Sequence, residues 1–106
     1  MTWKLLGTLD SGNTSLDVTF AARGSIYCEG TFDSKSVEVH PMYYSGSTLT
    51  PTTGYIGDAI DGTAIKDLSV PCGNYRLELS SSGGSEDIDV YVNDQYEASG
   101  ILASEL

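Results

Sequence analysis

The stretch Asp87–Val92, DIDVYV in one-letter code, alternates polar and apolar residues without a break. Successive side chains of a β-strand point to opposite faces of the sheet, so a period of two predicts a strand with one apolar face. Ile88, Val90 and Val92 form that face. A slip of one residue would turn all three outward, so the pattern also specifies the register of the strand.

The same alternation recurs upstream in four segments. Their apolar faces consist of Leu16, Val18, Phe20 and Ala22; of Ile26, Cys28 and Phe32; of Val37 and Val39; and of Tyr75, Leu77 and Leu79. Pro41 follows the third of these segments, where it predicts a strand end or an edge position. Weaker strands are predicted from Trp3 to Leu9, from Ala64 to Val70 and from Gln95 to Leu102.

Turn-forming clusters separate these segments at intervals of about 8 to 12 residues, and no stretch has a sustained helical face. We therefore predict an all-β fold, a two-sheet antiparallel β-sandwich of about eight strands with a jelly-roll or an immunoglobulin-like topology. Residues 1–106 are predicted to form a single domain. The segment at about 43–63 is rich in Ser, Thr, Gly and Pro, and we predict a long loop there.

The charge of the chain argues against two classes of binding partner. The chain carries 5 Lys plus Arg against 15 Asp plus Glu, a formal net charge of -10. Phosphate backbones and anionic membrane surfaces bind basic patches, so we expect neither nucleic acid nor membrane as a partner. The first residues lack the apolar run of a secretory signal, and we expect synthesis in a cytoplasm without secretion.

Residues suited to catalysis or metal binding are scarce. The single histidine, His40, lies on the polar side of a predicted strand, and we interpret it as an ordinary surface or interface residue. We expect no enzymatic activity and no cofactor. Asp58, Asp61 and Asp67, with the acidic group at 86–89, are interpreted as solvated loop residues, and a bound calcium ion is the alternative.

The two cysteines, Cys28 and Cys72, are expected to be free and packed. A reducing site of synthesis opposes a disulfide, and a buried cysteine behaves as a small apolar residue. One histidine with two distant cysteines also lacks the ligand spacing of a zinc site.

The stretch Pro71–Leu79, PCGNYRLEL, with the Ser/Gly-rich turn and the strand Ile88–Val92 that follow it, resembles a hairpin of small virion proteins of tailed phages. In those proteins an Asp-Gly loop leads to a Pro-x-Gly-x-Tyr-Arg turn and a final pair of strands. Asp61-Gly62 and the run from Ala64 to Val70 match the earlier part. The resemblance covers roughly Val37 to Val92.

This resemblance implies a capsid decoration or cement protein, located in the virion. Such proteins bind the outside of an assembled capsid, commonly as trimers, and tie neighbouring shell subunits together. The implied partners are the major capsid protein or other virion subunits, and the implied state is a homo-oligomer with a trimer favoured.

Candidate contact residues are the large apolar and aromatic side chains of the N-terminal strand, the long loop and the C-terminal segment. They are Trp3, Leu5, Tyr43, Tyr44, Tyr55, Ile101, Leu102 and Leu106. Tyr and Trp are favoured at protein interfaces. They equally suit sugar binding, so a carbohydrate- or receptor-binding module, associated with a tail or fibre, is the alternative, with Tyr43, Tyr44 and Tyr55 as its stacking surface.

Overall fold

Eight β-strands form the regular structure of the protein in a computed structural model that describes residues 3–94. They are β1 (Lys4–Asp10), β2 (Ser15–Phe20), β3 (Gly24–Thr31), β4 (Val37–Ser45), β5 (Thr48–Pro51), β6 (Asp67–Val70), β7 (Gly73–Leu79) and β8 (Asp87–Asp94). Residues 3–94 contain no helix, so the predicted all-β class is confirmed. It follows that these residues include no helix able to span a membrane.

The strands form two four-stranded antiparallel sheets. The first sheet has the order β1-β8-β3-β6 and the second has the order β2-β7-β4-β5. Only β4 and β5 are consecutive strands that pair within one sheet, so the chain crosses between the sheets at the other connections. This order is that of a jelly roll, whereas an immunoglobulin-like sandwich would pair its first two strands. The structure thus confirms the sandwich and selects the first of the two predicted topologies.

The apolar faces of the two sheets meet in one core. Strand β7 shows the period of two directly, because Tyr75, Leu77 and Leu79 are buried while Arg76 and Glu78 are only half-buried. Each fully buried aliphatic side chain of this kind contributes about 1.5–3 kcal/mol through removal of its surface from water. The buried apolar residues are Leu9, Phe20, Ile26, Cys28, Val37, Val39, Ile60, Val70, Tyr75, Leu77, Leu79, Ile88 and Val90.

The turn before β7 is closed by Tyr75. Its hydroxyl donates a 2.7 Å hydrogen bond to the carbonyl oxygen of Pro71, and its ring packs 6.1 Å from that of Phe20. Gly73 has φ 148°, a conformation that side chains larger than hydrogen rarely adopt. The predicted position of Tyr75 on an apolar face is confirmed, since its side chain is buried in the core.

Of the two alternatives predicted at Pro41, a strand end or an edge position, the strand end is wrong. Strand β4 continues to Ser45, and Pro41 is instead the point where the strand changes partner. Its residues from Val37 to Pro41 pair with β7, and those from Met42 onward pair with β5. The proline lacks an N–H donor, but its carbonyl oxygen accepts a 2.8 Å hydrogen bond from the Thr52 amide.

The segment 43–63 is more regular than the predicted long loop. The β4–β5 hairpin occupies its first part, and Ile60 is a fully buried core residue whose backbone bonds to that of Val37. Strand β6 begins at Asp67, three residues later than predicted. The predicted strand from Gln95 to Leu102 lies outside the described residues.

Both cysteines are free, as expected. Cys28 is packed in the core between the sheets. Cys72 is exposed in the turn that precedes β7, so the expectation that both thiols are packed is wrong for Cys72. Their positions in a buried strand and a surface turn give the two thiols very different environments.

Candidate functional site

The outer face of the first sheet carries a cluster of three aromatic side chains. Tyr27 of β3 and Tyr91 of β8 are direct cross-strand partners. Trp3 immediately precedes β1 and reaches across to the Tyr27 ring, and it is 42% exposed. Successive side chains of a strand point to opposite faces of the sheet. Because Ile26 and Val90 point into the core, their neighbours Tyr27 and Tyr91 point outward.

The three rings are tilted against one another. The ring centroids of Trp3 and Tyr27 are 6.0 Å apart at an interplanar angle of 58°, and those of Tyr27 and Tyr91 are 6.3 Å apart at 42°. Such tilted pairs are favourable arrangements for aromatic rings. Together with Glu29 they line a cleft of about 310 Å³. We call this group of four residues the aromatic cleft.

Leu5 extends the apolar surface of the cleft along β1. It lies opposite Tyr91 and is 58% exposed. A β-bulge between Leu5 and Gly7 inserts one extra residue, so Leu5 and Thr8 both face outward despite their odd spacing. The Thr8 hydroxyl donates a 2.8 Å hydrogen bond to the Asp89 carboxylate on the neighbouring strand.

Carboxylates border the aromatic cleft. Glu29 follows Tyr27 at the next outward position of β3, while Asp67 and Asp89 are the cross-strand partners of Tyr27 and Glu29 respectively. A hydrogen bond to Glu29 raises the pKa of the Tyr27 hydroxyl, and the charges of Glu29, Tyr91 and Asp67 raise it further. The described lining contains one acidic and no basic side chain, so it offers a negative potential to a ligand.

Of the three tyrosines predicted as a stacking surface, two lie on the second sheet. Tyr43 and Tyr44 are 51% and 68% exposed near the end of β4, in the hairpin with β5. As neighbours on one strand they point to opposite faces, so they do not form one platform. Tyr55 lies elsewhere, with its ring edge against His40 at 6.0 Å. The structure therefore does not join these tyrosines to one another or to Trp3.

His40 is not a surface residue, and that interpretation is wrong. The segment after β5 covers its ring and leaves it 4% exposed. Its Nε2 atom lies 3.1 Å from a carboxylate oxygen of Glu38 and 3.2 Å from one of Glu78. The strand position predicted from alternation is correct, but the covering segment comes from outside that strand.

A second, more polar cleft of about 520 Å³ lies at the end of the sandwich where β3 leads into β4. Its walls include Asp33, Lys35 and Asp61. Asp61 is engaged within its own turn, since its carboxylate accepts hydrogen bonds from the amides of Thr63 and Ile65 at 2.9 and 3.0 Å. These bonds, that from Ile65 first, lower the pKa of the Asp61 carboxyl.

The acidic loops do not converge. Within residues 3–94 no group of three or more His, Cys, Asp or Glu side chains is arranged to hold a metal ion. Glu86 is buried, and its carboxylate accepts hydrogen bonds from the amides of Gly83 and Gly84. Of the acidic residues interpreted as solvated, Glu86 therefore has a structural role in the β7–β8 turn.

The structure leaves the candidate contact residues Trp3 and Leu5 exposed, but the set of candidates did not include the other residues that form the cleft. Tyr27, Glu29 and Tyr91 all occupy outward positions of predicted strands, which is the signal that could have identified them. That signal becomes specific only when β3 and β8 are known to be neighbours. The candidates Ile101, Leu102 and Leu106 lie outside the described residues.

Comparison of the chain with models of protein families, with curated proteins and with solved structures found no match in any of the three.

Proposed function

We propose that this protein is a structural virion protein that binds the outside of an assembled phage capsid and stabilises it. The observation that carries the proposal is the aromatic cleft of the first sheet, in which Trp3 is exposed and Tyr27 and Tyr91 are half-buried, with the exposed Leu5 beside it. Tyr and Trp side chains anchor protein interfaces because they combine large contact area with a polar tip. A sheet holds them in place before binding, so little conformational entropy is lost when a partner covers them.

The stabilising mechanism is mass action. A protein that binds the assembled shell and not its separate subunits shifts the equilibrium toward the shell. A cement protein also needs more than one contact surface. The β4–β5 hairpin with Tyr43 and Tyr44 supplies a second surface on the opposite sheet, and we assign it to contacts between copies in a homo-oligomer, with a trimer favoured.

Two further observations support a virion role. The stretch from Pro71 to Leu79 resembles a stretch of small tailed-phage virion proteins, but β7 and β8 lie in different sheets and do not form the hairpin that the resemblance implied. The strand order is a jelly roll, an architecture found in viral capsid domains and in lectins. The second observation is an analogy between folds, and the assignment depends on the aromatic surface itself.

The test is cosedimentation of the protein with shells assembled from the major capsid protein encoded nearest its gene. We expect saturable binding and a higher melting temperature of the decorated shell. Trp3→Ala should weaken binding at least tenfold. Tyr44→Ala, which removes a more exposed aromatic on the other sheet, should leave the affinity for the shell within twofold and weaken self-association. Wild-type protein that stays in the supernatant would contradict the proposal.

Carbohydrate binding is the second candidate function, favoured by the lectin-like architecture and by the 68% exposure of Tyr44. Sugars stack on flat, exposed aromatic faces, but Tyr43 and Tyr44 do not share one face. A glycan array separates the two functions. Specific retention of a glycan by wild-type protein and its loss in Tyr44→Ala would favour the sugar-binding module over the capsid protein.

A further inference from the structure

The aromatic cleft has the chemistry of a site for a positively charged side chain. Three aromatic rings line the cleft, and the negative face of an aromatic ring attracts cations within about 6 Å of the ring centroid. The fourth wall is the Glu29 carboxylate. An ammonium or guanidinium group in the cleft would therefore gain cation–π contacts and a charged hydrogen bond together.

The geometry disfavours a sugar in the same place. A pyranose ring stacks on a flat aromatic platform, whereas the rings of Trp3, Tyr27 and Tyr91 are tilted by 58° and 42° from one to the next. The three rings therefore do not form one flat platform. The cleft volume of about 310 Å³ lies at the lower end of the range for ligand pockets, which suits one long side chain better than an oligosaccharide.

Charge complementarity points in the same direction. Asp67 and Asp89 lie beside Tyr27 and Glu29 on the neighbouring strands, and the whole chain has a formal net charge of -10. Thr8 occupies one side of Asp89, and the Glu29 carboxylate in the cleft wall accepts a hydrogen bond from the Tyr27 hydroxyl. A carboxylate offers about four lone-pair sites, so Glu29 keeps further acceptor sites for a ligand. An acidic protein with an acidic aromatic cleft is suited to a basic segment of its partner.

We infer that the aromatic cleft binds an arginine side chain of the partner protein. Arginine fits better than lysine, because its planar guanidinium can stack against an aromatic ring while its N–H groups fork onto the two oxygens of Glu29. This inference deepens the proposed function and rests on it for the identity of the partner. Tyr27 and Trp3 supply the stacking surfaces, and Leu5 lies beside the cleft to cover the aliphatic part of the arginine or its neighbouring residue.

The single tryptophan of the chain makes the test direct, because Trp3 is part of the site. Its fluorescence is titrated with three blocked tripeptides, Gly-Arg-Gly, Gly-Lys-Gly and Gly-Gln-Gly, and amide chemical shifts are followed in parallel. We expect saturable millimolar binding of the Arg peptide, at least threefold weaker binding of the Lys peptide, none of the Gln peptide, and shifts centred on β3 and β8.

Glu29→Gln keeps the shape of the wall and removes its charge, and it should weaken binding of the Arg peptide about fivefold or more. Asp17→Asn removes one charge from the outer face of the other sheet and is the matched control, for which we expect no change beyond twofold. Equal binding of the Arg and Gln peptides, no binding by either measurement, or saturable binding of maltohexaose in the cleft would overturn the inference. If the peptides do not bind but Trp3→Ala still impairs shell binding, the arginine site is refuted and the proposed capsid binding stands. If the Arg peptide binds but the protein does not bind shells, the arginine site stands and the proposed capsid binding is refuted.

Discussion

The Nδ1 atom of His40 lies 2.9 Å from the carbonyl oxygen of Thr52, which ties the segment after β5 to the middle of β4. The same nitrogen lies 3.1 Å from the carbonyl oxygen of Gly54. On the other side of the ring, Nε2 faces carboxylate oxygens of Glu38 and Glu78. Every one of these partners is a hydrogen-bond acceptor, and the imidazole ring is the group that lies between them.

We therefore predict that His40→Phe, which keeps an aromatic ring and removes both ring nitrogens, lowers the free energy of unfolding by about 1–3 kcal/mol, because the carbonyl oxygens of Thr52 and Gly54 lose the ring as a partner. Urea unfolding of the wild type and the variant measures this difference. An unchanged free energy of unfolding would show that His40 does not hold the segment after β5 as described.

The two cysteines should differ sharply in reactivity. Burial raises the pKa of the Cys28 thiol to about 12, whereas Cys72 is exposed. Because the thiolate is the reactive form, a disulfide reagent at about pH 8 should label Cys72 rapidly and Cys28 only when the protein unfolds. Cys72→Ser should abolish the rapid phase. Rapid labelling of Cys28 in the native protein would contradict the packing of β3 in the core.

Gly30 and Gly46 provide a matched pair of substitutions. Both have positive φ, 131° and 66°, but an added Cβ at Gly30 would lie 2.2 Å from the carbonyl oxygen of Asp87, while nothing lies within 4 Å at Gly46. We predict that Gly46→Ala lowers the free energy of unfolding by about 1 kcal/mol, the cost of the backbone conformation. Gly30→Ala should cost about 3 kcal/mol or more, because β3 and β8 must separate. Equal losses of unfolding free energy in the two variants, measured by urea unfolding, would contradict the register between β3 and β8.

Glu86 should contribute to the pH dependence of stability. Hydrogen bonds from backbone amides, that from Gly83 first, lower the pKa of its carboxyl below the ordinary value of 4.5. A lowered pKa in the folded state gives stability that is present above the ordinary value and is lost as the pH falls through the folded value. The stability difference between the wild type and Glu86→Gln should therefore be largest near neutral pH and shrink below about pH 4.5. A stability difference that grows as the pH falls would contradict this prediction.

The sequence predicted those parts of the fold in which one strand alone carries the information. Alternation in β8 identified Ile88 and Val90 as core residues because the period of two depends only on local backbone geometry. It could not predict β5, since its residues Thr48–Pro51 carry no apolar alternation and pair only because β4 lies beside them. The sequence likewise did not predict the jelly-roll strand order, because that order depends on pairing between segments that are distant in the chain.

The candidate site shows the same limit. Trp3 was identifiable from its residue type, but the contact between Tyr27 and Tyr91 exists because β3 and β8 are neighbours in the sheet. The burial of His40 depends on the segment around Thr52 and Gly54, which covers it from outside its own strand. Alternation assigns a side chain to a face of the sheet, but it does not tell whether another part of the chain covers that face.

Hydroxyl-radical footprinting of the protein free and bound to assembled shells tests the proposed docking surface most directly, because it reports the solvent access of each aromatic side chain. If the first sheet docks on the shell, oxidation of Trp3, Tyr27 and Tyr91 falls severalfold on binding. Oxidation of Tyr55, which packs against His40 of the second sheet, is unchanged. Protection of Tyr55 with unaltered oxidation of Trp3 and Tyr91 would contradict the account and transfer the docking surface to the second sheet.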